Sequence, residues 1–245
     1  RQIPRGIGHP PHQPPPDLLG VRFRPMAQKE DSPGLDYALP LVLDASSPMT
    51  QVGIPGKTHW RAMKKAGEQA MESLFRCCAE LFEEINQNLK EVDAVFYCEG
   101  PGSTLGLRIA AAFTRSIQWD ASDRKVEVLK YNAMDLATRM TRQPAPTLQA
   151  PYRMGSRLVR FEEGPAIGRK EVHEAEKALL AFPQSHHLPD QRNHLKLPQD
   201  ASIIEYDLGM VRGLADLLPI SSPCPAAEPF APQSSTFRKW QPGAR

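Results

Sequence analysis

Two short segments of the sequence carry residue types and spacings that could bind an anion. Asp44 comes directly after an apolar run, residues 39–43, and a glycine-rich turn follows a predicted core strand, residues 93–98. The turn consists of Gly100, Pro101, Gly102 and Ser103, and a helical pattern follows it. Amide groups at the start of a helix can hold an anion, and glycines allow a close backbone approach. A tight turn without a ligand also explains the bare pattern, so both interpretations stay open here.

This glycine-rich turn differs from the common nucleotide-binding motifs. The Walker pattern GxxxxGK[ST] is absent, and GxGxxG fails in register. Ser103 or Thr104 can instead cap the helix that follows the turn.

A second group of polar residues lies further along the chain. Four residues form a local basic cluster that could touch phosphate: Tyr152, Arg153, Arg157 and Arg160. A solvated strand edge is the alternative explanation of this cluster. Three histidines lie among loop-like residues, where a metal site and solvated side chains are both open: His186, His187 and His194.

The sequence lacks a complete set of catalytic residues. His173 begins a pattern similar to the zinc protease motif, but Lys177 stands where the second histidine is needed. No GxSxG nucleophile motif is present. Cys78 lies in a helical apolar stripe and is expected to be a small core residue. The absence of a complete catalytic set therefore argues against an autonomous enzyme.

The composition excludes several classes of protein. The chain has 245 residues, 30 basic and 28 acidic, for a formal net charge of +2. This balance gives no general attraction to nucleic acid or to an anionic membrane. No apolar stretch is long enough for a transmembrane helix, and no apolar signal-peptide core is seen. Four cysteines without a CxxC pair predict free thiols in a reducing cytoplasm: Cys77, Cys78, Cys98 and Cys224.

The 25 prolines of the chain concentrate at its two ends. Residues 1–36 are predicted to be a disordered, dispensable segment, because they contain few core-forming side chains. The first methionine is Met26, so the segment is either a tail or lies partly upstream of the true start. Residues 219–245 are predicted to be a proline-rich C-terminal segment.

Between these ends the pattern predicts an α/β chain with two groups of strands, and the length allows either one large domain or two small lobes. The first lobe, residues 37–142, should hold a five-stranded mixed sheet with strands near Leu41, Val52, Trp60, Val95 and Val126. Two helices, residues 67–89 and 104–119, should lie together on one face of this sheet. The second lobe, residues 143–218, should contain strands at 147–150 and 157–161, with helices at 171–182 and 205–218.

The two motifs together resemble the TsaB family. Residues 43–46, Leu-Asp-Ala-Ser, are similar to the opening LDTS of that family, and residues 100–109 resemble its hallmark GPGSFTGLRIG. Thr104 and Leu105 replace the Phe-Thr of the hallmark. The resemblance is good over residues 39–140 and weaker beyond, where residues 152–156 resemble a D-A-R-like turn and residues 236–238 a closing YLR. It implies an actin-like, ribonuclease-H-like (ASKHA) fold of two lobes, of which the second has diverged.

The resemblance also implies a function. TsaB proteins are inactive relatives and obligate partners of TsaD, which transfers threonylcarbamoyl to adenosine 37 of tRNA. The implied partners are a TsaD-like transferase and a TsaE-like ATPase, with a homodimer when the chain is alone and tRNA bound only through the complex. No cofactor of its own is implied, because ATP and a metal belong to the partner enzyme. The family has been grouped with M22 peptidases, but no peptidase residues are assembled here.

The helical bundle of the family suggests the partner-binding face. It would involve the apolar stripe of the first helix and the start of the second: Met71, Leu74, Phe75, Cys78, Leu81, Phe82, Leu107, Arg108 and Ala111. The more common reason for such a stripe is a helix whose apolar side is core that covers the sheet.

One alternative function belongs to another class. An actin-like ATPase or phosphotransferase would place Asp44 and the glycine-rich turn near phosphate. Residues 141–218 show no second phosphate-binding turn and no second acidic group for that chemistry.

Overall fold

Two mixed sheets and the helices that cover them make up the described part of the chain. The structure is a computed structural model that describes residues 37–67, 69–121, 124–141, 146–162, 167–189 and 196–230. The strands are β1 Pro40–Asp44, β2 Thr50–Pro55, β3 Trp60–Ala66, β4 Ala94–Gly100, β5 Glu127–Asn132, β6 Thr147–Pro151, β7 Ser156–Phe161, β8 Lys170–Glu174, β9 His186–His187, β10 Ser202–Ile203 and β11 Ser221–Pro223. The α-helices are α1 Ala70–Glu84, α2 Thr104–Asp120, α3 Ala133–Ala137, α4 Ala175–Ala181 and α5 Leu214–Leu217. The predictions for residues 1–36, His194 and residues 236–238 lie outside the described ranges.

The first sheet has the strand order β11-β5-β4-β1-β2-β3. Its antiparallel start, β1 to β3, is confirmed, and β1, β4 and β5 run parallel. Parallel neighbours need a crossover connection, which α1 and α2 supply. Since the parallel strands β1 and β4 lie side by side, their carboxyl ends meet at one edge of the sheet.

Both predicted helices lie on the same face of this sheet. Strand β4 is buried along its whole length, as expected for a central parallel strand. Its Val95 and Tyr97 pack in one apolar cluster with Leu74 and Leu81 of α1 and Ile117 of α2. The alternate residues of β4 face the opposite cluster. The prediction that α1 and α2 cover the sheet together is therefore confirmed.

The second sheet has the strand order β10-β9-β6-β7-β8. Its strands are joined to the first sheet by a single apolar cluster, which contains Phe96 and Leu129 of the first sheet and Leu148 and Leu158 of the second. Helix α3 inserts Leu136 into the same cluster. The two sheets therefore share one core.

The first sheet has one strand more than predicted. Strand β11 pairs antiparallel with β5, although residues 219–245 were expected only as a proline-rich segment and the first lobe was expected to end at residue 142. The chain after β11 is also anchored, because the hydroxyl of Tyr97 donates to the carbonyl of Glu228 at 3.1 Å. A strand of three residues leaves no periodic signal in the sequence, so only its pairing reveals it.

Two predicted helices of the second lobe are wrong in extent. Residues 171–182 divide into strand β8 and helix α4, because the first residues of this segment pair with β7. Residues 205–218 form a short 3-10 turn, Leu208–Met210, and then α5. Between them Gly213 adopts a φ of +52°, which interrupts the helical path.

Two further findings concern predicted absences. The four cysteines are free thiols, as predicted, and all four are buried. Within the described ranges, no helix has both the length and the apolar character needed to cross a membrane.

Candidate functional site

The two motifs come together at the carboxyl ends of β1 and β4. The amide of Ser103 donates to the carbonyl of Ser46 at 2.8 Å, which docks the glycine-rich turn on the turn after Asp44. A Cβ on Gly102 would lie 2.2 Å from that carbonyl oxygen, and a Cβ on Gly106 2.1 Å from the carbonyl oxygen of Ala45. The close approach of the two turns therefore requires glycine at both positions.

The glycine-rich turn also starts helix α2. Gly100 has a φ of +117°, a conformation that favours glycine, and the Gly100–Pro101 peptide bond is cis. The side chain of Ser103 accepts from the amide of Gly106 at 3.2 Å, so Ser103 is the N-cap. Of the two capping residues proposed from the sequence, the structure uses the serine.

Asp44 is fully buried, and both of its carboxylate oxygens accept hydrogen bonds. Oδ1 accepts from the amide and the hydroxyl of Ser46 at 2.9 and 2.6 Å. Oδ2 accepts from the hydroxyls of Tyr131 and Tyr206 at 2.8 and 2.7 Å. The carboxylate thus ties β1 to β5 and to the segment after β10, and its oxygens are occupied by the protein itself.

The groups around Asp44 stay protonated at neutral pH. Burial, together with the charge of Asp44, raises the pKa of the Tyr131 and Tyr206 hydroxyls well above the usual value. The same causes raise the pKa of the Cys98 thiol. The tyrosines therefore remain hydrogen-bond donors, and Cys98 is not an activated nucleophile.

A cavity of about 460 Å³ opens next to the two docked turns. One wall contains Ser46, Gly102 and Thr104, and the facing wall contains Tyr152 and Arg153 of the β6–β7 hairpin. Gly155 in this hairpin has a φ of +71°, which allows the tight turn. The cavity joins the glycine-rich turn to the hairpin, two segments that are distant in sequence.

The predicted basic cluster is divided by the fold. Three of its members line the cavity: Tyr152, Arg153 and Arg157. The fourth, Arg160, is buried elsewhere and pairs with Asp135 at 2.7 Å, while Lys170 lies 2.6 Å from the same carboxylate. The strand period separates Arg157 from Arg160, because residues three apart point to opposite faces.

Arg157 reaches a buried histidine behind the cavity wall. One terminal nitrogen of its guanidinium lies 3.1 Å from Nδ1 of His187. Burial, followed by the positive charges of Arg157 and His186, lowers the pKa of His187 to about 4. His187 is therefore neutral at physiological pH and can accept this hydrogen bond.

The histidines do not assemble a metal site in the part of the chain that is described. No group of three or more histidine, cysteine or acidic side chains is placed to hold a metal ion there. His173, excluded from a zinc motif by sequence, lies 3.4 Å from Glu171.

The structure buries most of the predicted partner-binding residues within the chain. Six of them belong to its own core: Leu74, Cys78, Leu81, Phe82, Leu107 and Ala111. Met71, Phe75 and Arg108 are exposed. The apolar stripe of α1 is thus mainly core, and its outer edge alone is accessible.

Sequence reasoning missed two exposed apolar residues of α2. Leu105 is 64% exposed and Trp119 is 77% exposed. They lie 14 residues apart, close to four helical turns, so they share a face of the helix. Arg108 lies on the same side, and Phe75 of α1 packs edge-on against Phe113 of α2 with ring centroids 5.3 Å apart. The helical spacing of Leu105 and Trp119 is a signal that could have identified this face.

Comparisons with known proteins agree with this architecture. Residues 64–154 match the family model described as TsaD: tRNA N6-adenosine threonylcarbamoyltransferase. The solved structure of YeaZ from Pseudomonas aeruginosa is similar, with 18% identity, a TM-score of 0.56 and coverage of 78% of this chain and 98% of that chain. A second solved structure, an uncharacterized protein with similarity to peptidase YEAZ from Pseudomonas aeruginosa, gives 18% identity, a TM-score of 0.56 and coverage of 79% and 98%. No curated protein matches the sequence significantly. The chain therefore has the α/β fold of YeaZ, with two mixed sheets, and its predicted resemblance to the TsaB family is confirmed at the level of the fold.

Proposed function

We propose that this chain is a non-catalytic subunit that binds a TsaD-like threonylcarbamoyltransferase and supports the modification of adenosine 37 in tRNA. The fold shared with YeaZ and the match of residues 64–154 to the transferase family model support the proposal. In this proposal tRNA is contacted through the complex, a TsaE-like ATPase joins it, and the ATP and metal of the reaction belong to the partners.

The exposed apolar face of α1 and α2 is the observation that carries this proposal. Met71 and Phe75, one helical turn apart on α1, are 56% and 55% exposed. Leu105 and Trp119 are the exposed large apolar residues of α2, and we name these four residues the helical face. Large apolar groups exposed on neighbouring helices are typical of protein–protein interfaces. Arg108 would supply a charged contact beside them.

The alternative of an ATPase or phosphotransferase has weaker support from the site geometry. Such an enzyme needs an acidic group that can reach a metal ion or a water molecule. Both oxygens of Asp44 instead accept hydrogen bonds from Ser46, Tyr131 and Tyr206. The Asp44 carboxylate therefore stabilises the fold and is not placed for catalysis. This favours the accessory role over the enzymatic one.

Binding to the cognate TsaD-like enzyme tests the proposal directly. The full chain should co-purify with that enzyme, and Trp119→Lys and Phe75→Lys should each weaken the affinity about tenfold or more, since they place a charge in an apolar contact. Leu180→Lys is the matched control, because Leu180 is 82% exposed on α4, outside the helical face. Isothermal titration calorimetry measures the three affinities.

Two outcomes would contradict the proposal. The first is no complex at micromolar concentrations of both proteins. The second is an equal loss of affinity in Leu180→Lys and Trp119→Lys, because the helical face would then have no special part in binding. Loss of threonylcarbamoyladenosine from tRNA on deletion of the gene, and its recovery with Leu180→Lys but not with Trp119→Lys, would link the face to the modification.

A further inference from the structure

The second sheet ends at strand β8, whose outer edge has no neighbouring strand among the described residues. β8 stands last in the sheet order, next to β7. Helix α4 leaves β8 and runs back over the sheet, since the side-chain amide of Gln149 in β6 donates to the carbonyl of Ala178 in α4 at 3.1 Å. The helix therefore covers a face of the second sheet and not the edge of β8.

The backbone groups of β8 point alternately toward β7 and away from it. At one end of the strand, the amide of Ala175 donates to the carbonyl of Gly155 at 2.9 Å. In an antiparallel ladder every second residue bonds to the same neighbour, so the odd-numbered residues of β8 bond to β7. The N–H and C=O groups of Lys170, Val172 and Glu174 therefore point outward, where another strand could bond to them.

The side chains of β8 are complementary to a second copy of the same strand. In an antiparallel pair centred on Val172, Lys170 lies opposite Glu174 of the second copy, and Glu171 lies opposite His173. Opposite charges at facing positions stabilise a strand pair. Val172 is 37% exposed and would meet its own copy, a β-branched pair of the kind that strands favour.

The charges at both ends of β8 already have partners within the chain. Lys170 lies 2.6 Å from the buried carboxylate of Asp135, and Glu174 lies 2.7 Å from Lys177. A second copy would share these charges and would not find them free. The backbone bonds should therefore contribute most of the affinity, and the charges should mainly select the register.

The other sheet edges are less suited to pairing of two copies. Strand β3 carries Arg61, Lys64 and Lys65 and no acidic residue, so its cations would face those of a second copy. Strand β11 has three residues and ends with Pro223, and β10 has two residues. Lysines, proline and short length are common protections of a sheet edge. Strand β8 has five residues, charges of both signs and no proline.

We propose that two copies of this chain pair antiparallel along β8, with Val172 at the centre, to form one continuous sheet across a homodimer. About six backbone hydrogen bonds, two at each outward-facing position, would join the copies. The resemblance to a family implies a homodimer but gives it no surface, and this proposal assigns that surface to β8. The helical face stays accessible in such a dimer, so the proposal does not depend on the partner role.

Sedimentation velocity of the full chain between about 5 and 500 μM tests the pairing. Because an edge of five residues buries little area, we expect a dissociation constant of roughly 10–100 μM. Val172→Pro removes the outward N–H at the centre of the pair, at a position where an edge strand tolerates proline. It should raise the dissociation constant about tenfold or more. Val172→Thr keeps the N–H and the β-branched shape, and it should dimerise like the parent chain.

A charge reversal tests the register. Glu174→Lys places a second cation opposite Lys170 and should raise the dissociation constant about threefold or more. Glu205→Lys makes the same change of charge at an exposed residue after β10 and should leave the dimer unchanged. Thermal unfolding checks that each variant retains its fold, and Glu174→Lys decides the question if Val172→Pro does not fold.

Disulfide cross-linking tests the register independently. The Cα atoms of a hydrogen-bonded antiparallel pair lie about 5.5 Å apart, within the usual range of a disulfide. Val172→Cys should therefore form a disulfide between two copies on mild oxidation. Glu174→Cys is the control, because its two copies would lie four positions apart, roughly 13 Å. The four native cysteines are buried.

Four outcomes would overturn the proposal. The first is a monomer at about 500 μM, and the second is a dimer that neither Val172→Pro nor Glu174→Lys weakens. The third is a dimer that Trp119→Lys abolishes while the β8 variants retain it, because the second copy would then lie on the helical face. The fourth is equal cross-linking in the two cysteine variants. Failure to bind the TsaD-like enzyme, with the β8 dimer intact, would contradict the partner role alone.

Discussion

Asp44 shows how one side chain can look catalytic in sequence and serve the fold in three dimensions. The aspartate after the first strand is the residue on which an ATPase would depend. In this chain its carboxylate accepts four hydrogen bonds from three residues, Ser46, Tyr131 and Tyr206. These donors come from separate segments, so the carboxylate joins parts of the chain that are distant in sequence.

Asp44→Asn should therefore destabilise the protein. The amide group would face hydroxyl donors that the carboxylate now satisfies, and we expect the free energy of unfolding to fall by roughly 2–4 kcal/mol. Tyr206→Phe removes one donor alone and should cost about 1 kcal/mol. Urea denaturation at pH 7 measures both changes. An Asp44→Asn variant as stable as the parent would show that the carboxylate is not a structural group.

The glycine-rich turn is the element that positions α2. Its Ser103 caps the helix, and its backbone docks on the turn after β1 through the carbonyl of Ser46. Helix α2 in turn presents Leu105, Arg108 and Trp119 at the surface. A change in the turn is therefore transmitted to the helical face.

Gly102→Val and Arg108→Ala should separate folding from partner binding. A Cβ at Gly102 meets the Ser46 carbonyl oxygen at 2.2 Å, so the turn must shift, and we expect a loss of about 1–3 kcal/mol in stability. Arg108 is exposed, and its replacement should change stability by less than roughly 0.5 kcal/mol while weakening the partner contact. Differential scanning calorimetry and a binding titration measure the two effects. Equal thermal destabilisation in both variants would make Arg108 a structural residue.

The two sheets pack against each other through one shared apolar cluster. A shared apolar cluster contains side chains of β4 and β5 from the first sheet and of β6 and β7 from the second. Separating the sheets would expose this cluster to water. We therefore expect cooperative unfolding of the described part, in which a titration in the second sheet changes the stability of the whole.

His187 should make the protein less stable in acid. The pKa of His187 is lowered from 6.5 to about 4 by burial, so the unfolded chain binds a proton at a higher pH than the folded chain. The contribution of neutral His187 to the free energy of unfolding is fully present above pH 6.5. It is lost as the pH falls toward 4, and the loss amounts to at most about 3 kcal/mol. Urea denaturation between these pH values should show a shallower fall for His187→Gln. His59→Gln, at an exposed histidine, is the control, and the same profile in all three proteins would remove His187 as the cause.

Local patterns were sufficient to predict the elements of the first sheet. The apolar runs at β1 and β4, the helical stripe of α1 and the glycine-rich turn before α2 all depend on residues near each other in the chain. Their periodicity and their turn residues carry the signal. For the same reason the resemblance in residues 39–140 was sufficient to predict the fold.

The other features of the fold and of the site depend on contacts between residues that are distant in the sequence. Strand pairing and burial could not be predicted from a short stretch of sequence, because the neighbours that decide them lie elsewhere in the chain. Strand β11 exists through its pairing with β5, and the first residues of β8 are a strand because β7 lies beside them. Periodicity places Leu74 and Met71 on related faces of α1, but packing against the sheet buries one and leaves the other exposed. The cavity likewise forms only when both sheets pack on their shared core, because its walls come from turns of both sheets. Arg153 and Arg157 then line the same cavity, whereas Arg160 forms an ion pair with Asp135.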